Sequence, residues 1–253
     1  MSKQGYFFDL YGTLLVYGDM HQAWSDWLTA FYDLLKAQGL NSTRADFSQA
    51  CNGFFSAASP EDSDNNLTVL ERRIQRLCAT YNHQLGTSAL HHIADQIAAA
   101  WQTHISIDPA AMPVLTHLKQ LKKTIGLVSN FDHPPHVRRL LSENGWAHVF
   151  DTVIISSEVG VQKPDPVIFY LALQNTGIAP ADAIYIGDTQ DDVAGAIAAG
   201  IHPVLINRAD HPTDSNALDF QLANRQSDVY QTDFGENTVT IIQNLQEILT
   251  LST

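Results

Sequence analysis

Asp9 lies where a carboxylate could act as a nucleophile or bind a metal ion. It follows the aromatic residues Tyr6, Phe7 and Phe8, and Gly12 comes three positions later. An apolar run that ends at a polar residue is typical of a buried parallel strand, and sites of open α/β sheets lie at the carboxyl ends of such strands. A turn cap is the alternative interpretation, because Asp commonly caps turns beside Gly.

Three further groups of polar side chains follow later apolar runs. They are Ser129-Asn130, Lys163 before Pro164, and Asp188 with Asp192. If each run forms a parallel strand of one sheet, these groups converge with Asp9 at one edge. A hydroxyl, an amide, an ammonium and several carboxylates would then share one site.

The clustered carboxylates predict a bound magnesium ion. Carboxylates this close repel one another, and a hard divalent cation with oxygen ligands relieves the repulsion. We expect Asp9, Asp188 and the backbone carbonyl of Tyr11 to be ligands, and Asp192 to orient a ligand water. With Mg²⁺, Lys163 and backbone N–H groups to neutralise charge, Asp9 could attack an anionic phosphoryl group.

The substrate expected at such a site is a small anionic molecule. Candidate substrate-binding residues are Gly12, Thr13, Ser129 and Asn130, and the two hydroxyls could donate to phosphate oxygens. The formal net charge is −13, so we expect neither nucleic acid nor an anionic membrane to be bound through a basic surface. The polar residues 1–5, the lack of a membrane-length apolar run and two cysteines at no metal spacing favour a soluble cytoplasmic protein with buried thiols.

The elements that position these residues alternate between strands and helices in the second half of the chain. Predicted strands are 124–129, 152–156, 183–187 and 203–206, and predicted helices are 108–121, 135–143, 166–176 and 191–199. This alternation indicates an α/β fold with a doubly wound, Rossmann-like parallel sheet. A closing helix is predicted over 239–249, and the polar segment 207–237 reads as a long surface loop.

The first half of the chain after Asp9 is predicted to be helical. Apolar residues at helical spacing predict helices near 20–38, 44–57, 67–85 and 88–102. We therefore expect residues 17–107 to form a helical cap domain inserted into a catalytic core made of 1–16 and 108–253. Trp24 and Trp27 are expected in the core of the cap, whereas Asp132, His133 and the other histidines are expected in solvated positions.

Four motifs, in order, resemble those of the haloacid dehalogenase superfamily of hydrolases. They are Asp9-Leu10-Tyr11-Gly12-Thr13, Ser129-Asn130, Lys163-Pro164 and Gly187-Asp188 to Asp192. The resemblance implies that Asp9 attacks the substrate and forms an aspartyl intermediate that water hydrolyses. In phosphatases of this superfamily magnesium is bound by the first aspartate, the carbonyl two residues on and the aspartate of the fourth motif.

Tyr11 departs from the phosphatase pattern. Such phosphatases usually have a second aspartate two residues after the nucleophile as acid and base, whereas the similar 2-haloacid dehalogenases have tyrosine there. The acidic fourth motif, Asp188 with Asp192, and the absence of arginine from 14–33 favour a magnesium-dependent phosphatase. A metal-free 2-haloacid dehalogenase, or a catalytically weak binding protein, remain the alternatives. Because a phenol is a weak base at neutral pH, we expect slow hydrolysis of the intermediate.

Overall fold

The computed structural model describes residues 3–60, 66–208 and 239–251, and its main feature is a six-stranded parallel sheet with the strand order β5-β4-β1-β6-β7-β8. The strands are β1 Gly5–Phe8, β2 Leu15–Tyr17, β3 Ile105–Ile107, β4 Thr124–Ser129, β5 Thr152–Ile155, β6 Ala183–Gly187, β7 His202–Ile206 and β8 Thr240–Ile242. β2 and β3 form a separate antiparallel ribbon. The predicted α/β class with a parallel sheet is confirmed.

Helices cover both faces of the sheet. They are α1 Met20–Ala37, α2 Arg44–Ala50, α3 Val69–Thr80, α4 Thr87–Gln102, α5 Ala111–Gln120, α6 Pro134–Glu143, α7 Ser156–Val159, α8 Val167–Thr176 and α9 Gln190–Ala198, with a last short helix at Ile248–Leu251. Successive side chains of β1 point to opposite faces. Tyr6 and Phe8 pack in the apolar cluster that contains α5 and α6, whereas Phe7 packs with Phe169 of α8 and Ala196 of α9.

β1 lies at the point where the strand order reverses. It pairs with β4 on one side and with β6 on the other, so the carboxyl ends of these three strands are adjacent. In open α/β sheets, ligands bind in the crevice at such a switch point. The fold therefore places Asp9, Ser129 and Asp188, which terminate or follow these strands, beside one crevice.

Helices α1 to α4 occupy the block that was predicted to be helical. α1 packs on α4, and α3 starts with a capping box in which Thr68 and Glu71 each accept a backbone N–H. Trp27 is buried and stacks on Trp24 with centroids 4.9 Å apart. The division of the chain into a core and a cap domain with boundaries at 17 and 107 stays a prediction.

Four predicted elements were wrong in part. The block at 17–107 was predicted to be all helical, but it contains the strand β3. With three residues, β3 is too short to show the alternation of a strand, and its pairing with β2 identifies it. The helix predicted from 108 begins at Ala111, because Asp108 accepts a hydrogen bond from Ala110 N in the turn before it. The helices predicted over 44–57 and 67–85 end early, at Ala50 and Thr80.

The predicted closing helix was also wrong in its first half. Residues Thr240–Ile242 form β8, which pairs in parallel with β7, and Leu245–Glu247 form a 3-10 turn before the last helix. The adjacent residues Ile241 and Ile242 are compatible with a strand as well as with a helix. They form a strand because the edge of β7 offers backbone groups to pair with. Most of the loop predicted over 207–237 lies outside the described residues.

Within the described part of the chain, no helix has the length and apolarity needed to cross a membrane.

Candidate active site

Asp9 and Asp188 lie side by side at the ends of β1 and β6. Both are buried, with 5% and 3% of their surface exposed. Gly12 allows this approach, because it has a φ of +88° and a Cβ at this position would overlap the Asp188 carboxylate. Gly12 was predicted to bind substrate, and its observed contribution is to bring the Asp9 loop against Asp188.

Lys163 connects the first and fourth motifs through its ammonium group. Its Nζ is 2.6 Å from Asp9 Oδ1 and 2.7 Å from Asp192 Oδ1, and all three side chains are buried. It also lies 3.0 Å from the hydroxyl of Tyr185. One ammonium group therefore serves two carboxylates, in a site where a third, Asp188, adds further negative charge.

Asn130 positions Lys163 through the backbone. Its side-chain amide donates to Lys163 O at 3.1 Å, and Lys163 N donates to Asn130 Oδ1 at 2.9 Å. This pair of hydrogen bonds joins the end of β4 to the loop that carries the lysine. These contacts help to place the ammonium beside Asp9, and the predicted contact of Asn130 with substrate stays a prediction.

Asp192 is saturated with hydrogen bonds. Oδ1 accepts from Lys163 Nζ and Tyr185 OH, and Oδ2 accepts from Thr189 N at 3.0 Å and Thr189 Oγ1 at 2.6 Å. Thr189 in turn caps the start of α9, so Asp192 connects Lys163 to the first turn of this helix. These contacts fit a supporting role for Asp192 better than direct ligation of a metal.

Burial and neighbouring charges change the pKa of Asp9. Burial raises the pKa of Asp9 to about 8, Lys163 opposes this rise, and repulsion by Asp192 and Asp188 adds to it. Burial also raises the pKa of Asp192, but Lys163 and the hydrogen bonds from Thr189 together hold this pKa below its usual value. An additional cation beside Asp9 would therefore favour its ionised form.

A divalent cation fits this donor set. Carboxylate oxygens of Asp9, Asp188 and Asp192 all lie within 4.8 Å of one another, and the three residues are buried. Hard oxygen ligands of this kind suit Mg²⁺. Because Asp192 already accepts four hydrogen bonds, Asp9 and Asp188 are the two carboxylates better placed to hold the ion.

Two buried hydroxyl groups at the site have no hydrogen bond within the described part of the chain. They are Thr13 Oγ1 in the Asp9 loop and Ser129 Oγ at the end of β4, with 0% and 1% of their residues exposed. Buried polar groups are nearly always paired in folded proteins. Unpaired hydroxyls beside a crevice are suited to bind the oxygens of a ligand, and substrate binding by both residues stays a prediction.

The side chain of Tyr11 contacts the helical region. Its hydroxyl donates to Gln102 Oε1 of α4 at 3.1 Å, and its ring stacks on Phe131 and packs against Trp101, with centroids 5.0 Å away in both cases. Burial and then the Asp9 carboxylate raise the pKa of Tyr11 above its ordinary value. The described geometry therefore directs this phenol towards Gln102.

Arg208 is a site residue that the sequence interpretation missed. Its guanidinium donates to the carbonyl oxygens of Gly12 and Thr13 and forms an ion pair with Asp108 at 2.7 Å. It thus holds the Asp9 loop from the end of β7. Tyr185 was missed as well, because a tyrosine inside a strand gives no signal that its hydroxyl contacts Lys163 and Asp192.

The expectation of a solvated position was wrong for His133 and His136, whereas other histidines, such as His21, His91 and His117, are exposed as expected. His133 is 1% exposed and its ring nitrogens contact Thr68 and Asp95, which lie in the helical block. His136 is 4% exposed. Asp132 is half-buried and pairs with Arg73 at 2.7 Å. Partners this distant in sequence cannot be identified from the local pattern.

Several curated relatives with sequence similarity are phosphatases. A phosphoserine phosphatase of Thermus thermophilus is 39% identical over 110 residues, which cover 43% of this chain and 44% of the relative. A glyceraldehyde 3-phosphate phosphatase of Methanopyrus kandleri is 33% identical over 120 residues, or 45% and 51% of the two chains. The chain thus spans about half the length of these relatives.

Structural similarity extends over nearly the whole chain. A phosphatase structure from Thermococcus onnurineus has a TM-score of 0.63 at 20% identity and covers 98% of this chain and 97% of its own. At this identity the similarity supports the fold alone. The sequence model of the haloacid dehalogenase-like hydrolases matches residues 3–200 and includes all four motifs. The chain therefore belongs to the haloacid dehalogenase-like hydrolase family.

Proposed function

We propose that this protein is a magnesium-dependent phosphatase that hydrolyses a small phosphorylated metabolite through a phosphoryl-Asp9 intermediate. The observation that carries the proposal is the charge of the buried site. Three buried carboxylates lie within 4.8 Å of one another, Lys163 pairs with two of them, and the pKa of Asp9 is raised to about 8. A nucleophilic carboxylate must be ionised near neutral pH, and an added cation at this site would favour the ionised form.

Asp9 and Asp188 would hold the magnesium ion, with the backbone carbonyl of Tyr11 as a further oxygen ligand. When bound, the ion neutralises negative charge on the carboxylates and on the phosphoryl oxygens. A phosphate dianion would otherwise meet a site with a surplus of negative charge. A cation bound at this site would therefore also reduce the repulsion between the carboxylates and an anionic substrate.

The chain's own residues account for the first half of the reaction. An oxygen of Asp9 attacks phosphorus, the bond from phosphorus to the ester oxygen breaks, and its electron pair leaves with that oxygen. Lys163, 2.6 Å from Asp9 Oδ1, keeps the carboxylate in place and stabilises its charge. The hydroxyls of Thr13 and Ser129 would donate to phosphoryl oxygens, which would satisfy both buried groups.

The second half of the reaction returns Asp9 to its starting state. Water attacks the phosphorus of the acyl phosphate, and inorganic phosphate leaves as the Asp9 carboxylate forms again. This water must lose a proton, and Tyr11 is poorly placed to accept it because its hydroxyl contacts Gln102. We therefore expect hydrolysis of the intermediate to be the slow step.

Tyr11 also favours a second candidate function, which is hydrolysis of a 2-haloacid. In that reaction Asp9 attacks carbon and halide leaves without a proton, so an acid at position 11 is not needed. That chemistry also requires no metal. The three-carboxylate cluster has no evident role in it, and for this reason we place the phosphatase first.

The test compares the two products under matched conditions. Phosphate release from a panel of phosphate monoesters, and chloride release from 2-chloropropionate, are measured with Mg²⁺ and with a chelator. The proposal predicts magnesium-dependent phosphate release that Asp9→Asn abolishes. Chloride release that persists in chelator would overturn it in favour of the dehalogenase, and an Asp9→Asn variant with undiminished phosphate release would overturn the role of Asp9.

A further inference from the structure

A cavity of about 220 Å³ adjoins the candidate active site. It is bounded by side chains of α1, α3 and α4 and by the loop that follows β4. Its lining includes Tyr11, Asn130 and Gln162, which are close neighbours in sequence of Asp9, Ser129 and Lys163. A molecule whose reacting group lies at Asp9 can therefore extend into this cavity.

Six aromatic rings line this cavity beside polar side chains. They belong to Tyr11, Tyr17, Trp27, Phe55, Trp101 and Phe131. Two groups of these rings are in mutual contact, since Trp101 and Phe131 lie 5.9 Å apart beside Tyr11, and Trp27 and Phe55 lie 5.3 Å apart. Such surfaces bind flat apolar groups by burying their area and by offset or edge contacts between rings.

The charged side chains in the described lining are already paired. Arg73 Nε donates to Asp132 at 2.7 Å, and Arg73 Nη1 donates to the carbonyl oxygens of Phe54 and Ala57. His133, also in the lining, is hydrogen-bonded at both ring nitrogens. A carboxylate or ammonium on the ligand would thus meet no surplus of opposite charge in this part of the cavity.

The volume is that of a small ring system. An apolar cavity of roughly 150 Å³ is large enough to hold benzene. The cavity beside Tyr11 is somewhat larger, at about 220 Å³, and it also has polar groups in its lining such as Ser156 and Gln162. One aromatic ring with a short linker to the reacting centre fits this space.

We infer that this cavity binds the leaving group of the substrate, and that this group is uncharged and carries a planar apolar ring. The inference deepens the proposed function and rests on it for the phosphate half of the substrate. After Asp9 attacks phosphorus, the ester P–O bond breaks and the leaving oxygen keeps the electron pair and takes a proton from water. The ring of the resulting alcohol lies in the cavity until it is released.

The kinetic test compares two alkyl esters, so that leaving-group chemistry is matched. We expect kcat/KM for 2-phenylethyl phosphate to exceed that for glycerol 3-phosphate by about tenfold or more, because only the former buries a ring. Ala98→Met, which adds volume at a buried lining residue of α4, should reduce this ratio to about one. Ala99→Met, on the exposed face of the same helix, should leave the ratio unchanged.

A binding measurement separates failure of this inference from failure of the proposed function. Titration of 2-phenylethanol should give a saturable change in tryptophan emission, since Trp27 and Trp101 line the cavity, and Ala98→Met or Phe55→Ala should weaken it about tenfold. If 2-phenylethanol binds in this way but no ester is hydrolysed, the preference of the cavity for an uncharged ring stands and the phosphatase proposal fails. If esters are hydrolysed with glycerol 3-phosphate equal or preferred, and 2-phenylethanol does not bind, the cavity inference is overturned and the phosphatase proposal stands.

Discussion

The hydroxyl of Tyr11 donates to the side-chain oxygen of Gln102, 3.1 Å away, although Tyr11 is only two residues from Asp9. Gln102 is the last residue of α4, and the same oxygen accepts from His136 Nε2 at 3.1 Å. The loop that carries the candidate nucleophile is thus bonded to the helical block. The Tyr11 side chain therefore connects the Asp9 loop to α4.

Tyr11→Phe tests this assignment. The variant loses one partly buried hydrogen bond, so we expect the free energy of unfolding to fall by about 1 kcal/mol. Turnover should change by less than about threefold, because the phenol is not the proton donor of the reaction. Urea unfolding and steady-state phosphate release measure the two quantities. A loss of turnover as large as that of Asp9→Asn would show that the hydroxyl takes part in the chemistry.

Asp188→Asn tests the metal-binding site without relying on activity. Magnesium should raise the melting temperature of the wild-type protein, because a ligand that binds only the folded state stabilises it. Asp188→Asn should weaken magnesium binding by about tenfold or more, which thermal shift and calorimetry can measure. The control is Asp182→Asn, an exposed carboxylate before β6, and it should retain the full shift. An equal shift in Asp188→Asn and wild type would exclude Asp188 as a ligand.

Arg208→Gln tests whether Arg208 holds the Asp9 loop in place. The variant removes hydrogen bonds to the carbonyl oxygens of Gly12 and Thr13 and the ion pair with Asp108. We expect kcat to fall by about tenfold and the free energy of unfolding by roughly 1–3 kcal/mol. The matched control is Arg138→Gln, which removes an exposed ion pair with Glu158. Its free energy of unfolding should fall by less than about 1 kcal/mol. Indistinguishable kcat values for the two variants would refute the positioning role.

The burial of His136 should make the free energy of unfolding depend on pH. Burial, and then the charges of Arg139 and His133, lower the pKa of His136 from 6.5 to about 4, while Asp95 opposes this shift. Between these two values the unfolded chain binds a proton that the folded chain does not. The contribution of neutral His136 to the free energy of unfolding is therefore complete above pH 6.5 and is lost as the pH falls towards 4. This loss is at most about 3 kcal/mol.

Urea unfolding of wild type and His136→Gln at several pH values isolates this contribution, because the other titrating groups are common to both proteins. The wild type should lose more stability than the variant between pH 6.5 and 4. Parallel pH profiles of the two proteins would contradict the burial of a neutral imidazole.

Local pattern predicted the strands that carry the candidate site well. The strands 124–129 and 183–187 were predicted with the bounds that the structure shows, because short buried apolar runs with clear ends have few alternatives. The convergence of Asp9, Lys163 and Asp188 followed from parallel topology, in which the carboxyl ends of strands share one edge. Residues that end a strand of such a sheet are therefore recognisable from the amino-acid sequence alone.

Contacts between distant segments were beyond the reach of sequence interpretation. Gln102 is 91 residues from its partner Tyr11, and Arg208 is 196 residues from Gly12. Neither belongs to a motif, and nothing in the local composition distinguishes them from surface residues. The strand β8 was mistaken for a helix for a similar reason, since the free edge of β7 that it covers is a property of the assembled sheet.

The central claim is that Asp9 becomes phosphorylated, and acid-quenched mass spectrometry tests it most directly. The protein is mixed with Mg²⁺ and an excess of a phosphate monoester that it hydrolyses, quenched in acid during turnover, and digested. Because Tyr11 is poorly placed to activate water, hydrolysis should be slow and the peptide that contains Asp9 should carry a phosphoryl group in wild type, but not in Asp9→Asn or without metal. Phosphate release during turnover with no phosphoryl group on this peptide would contradict the account.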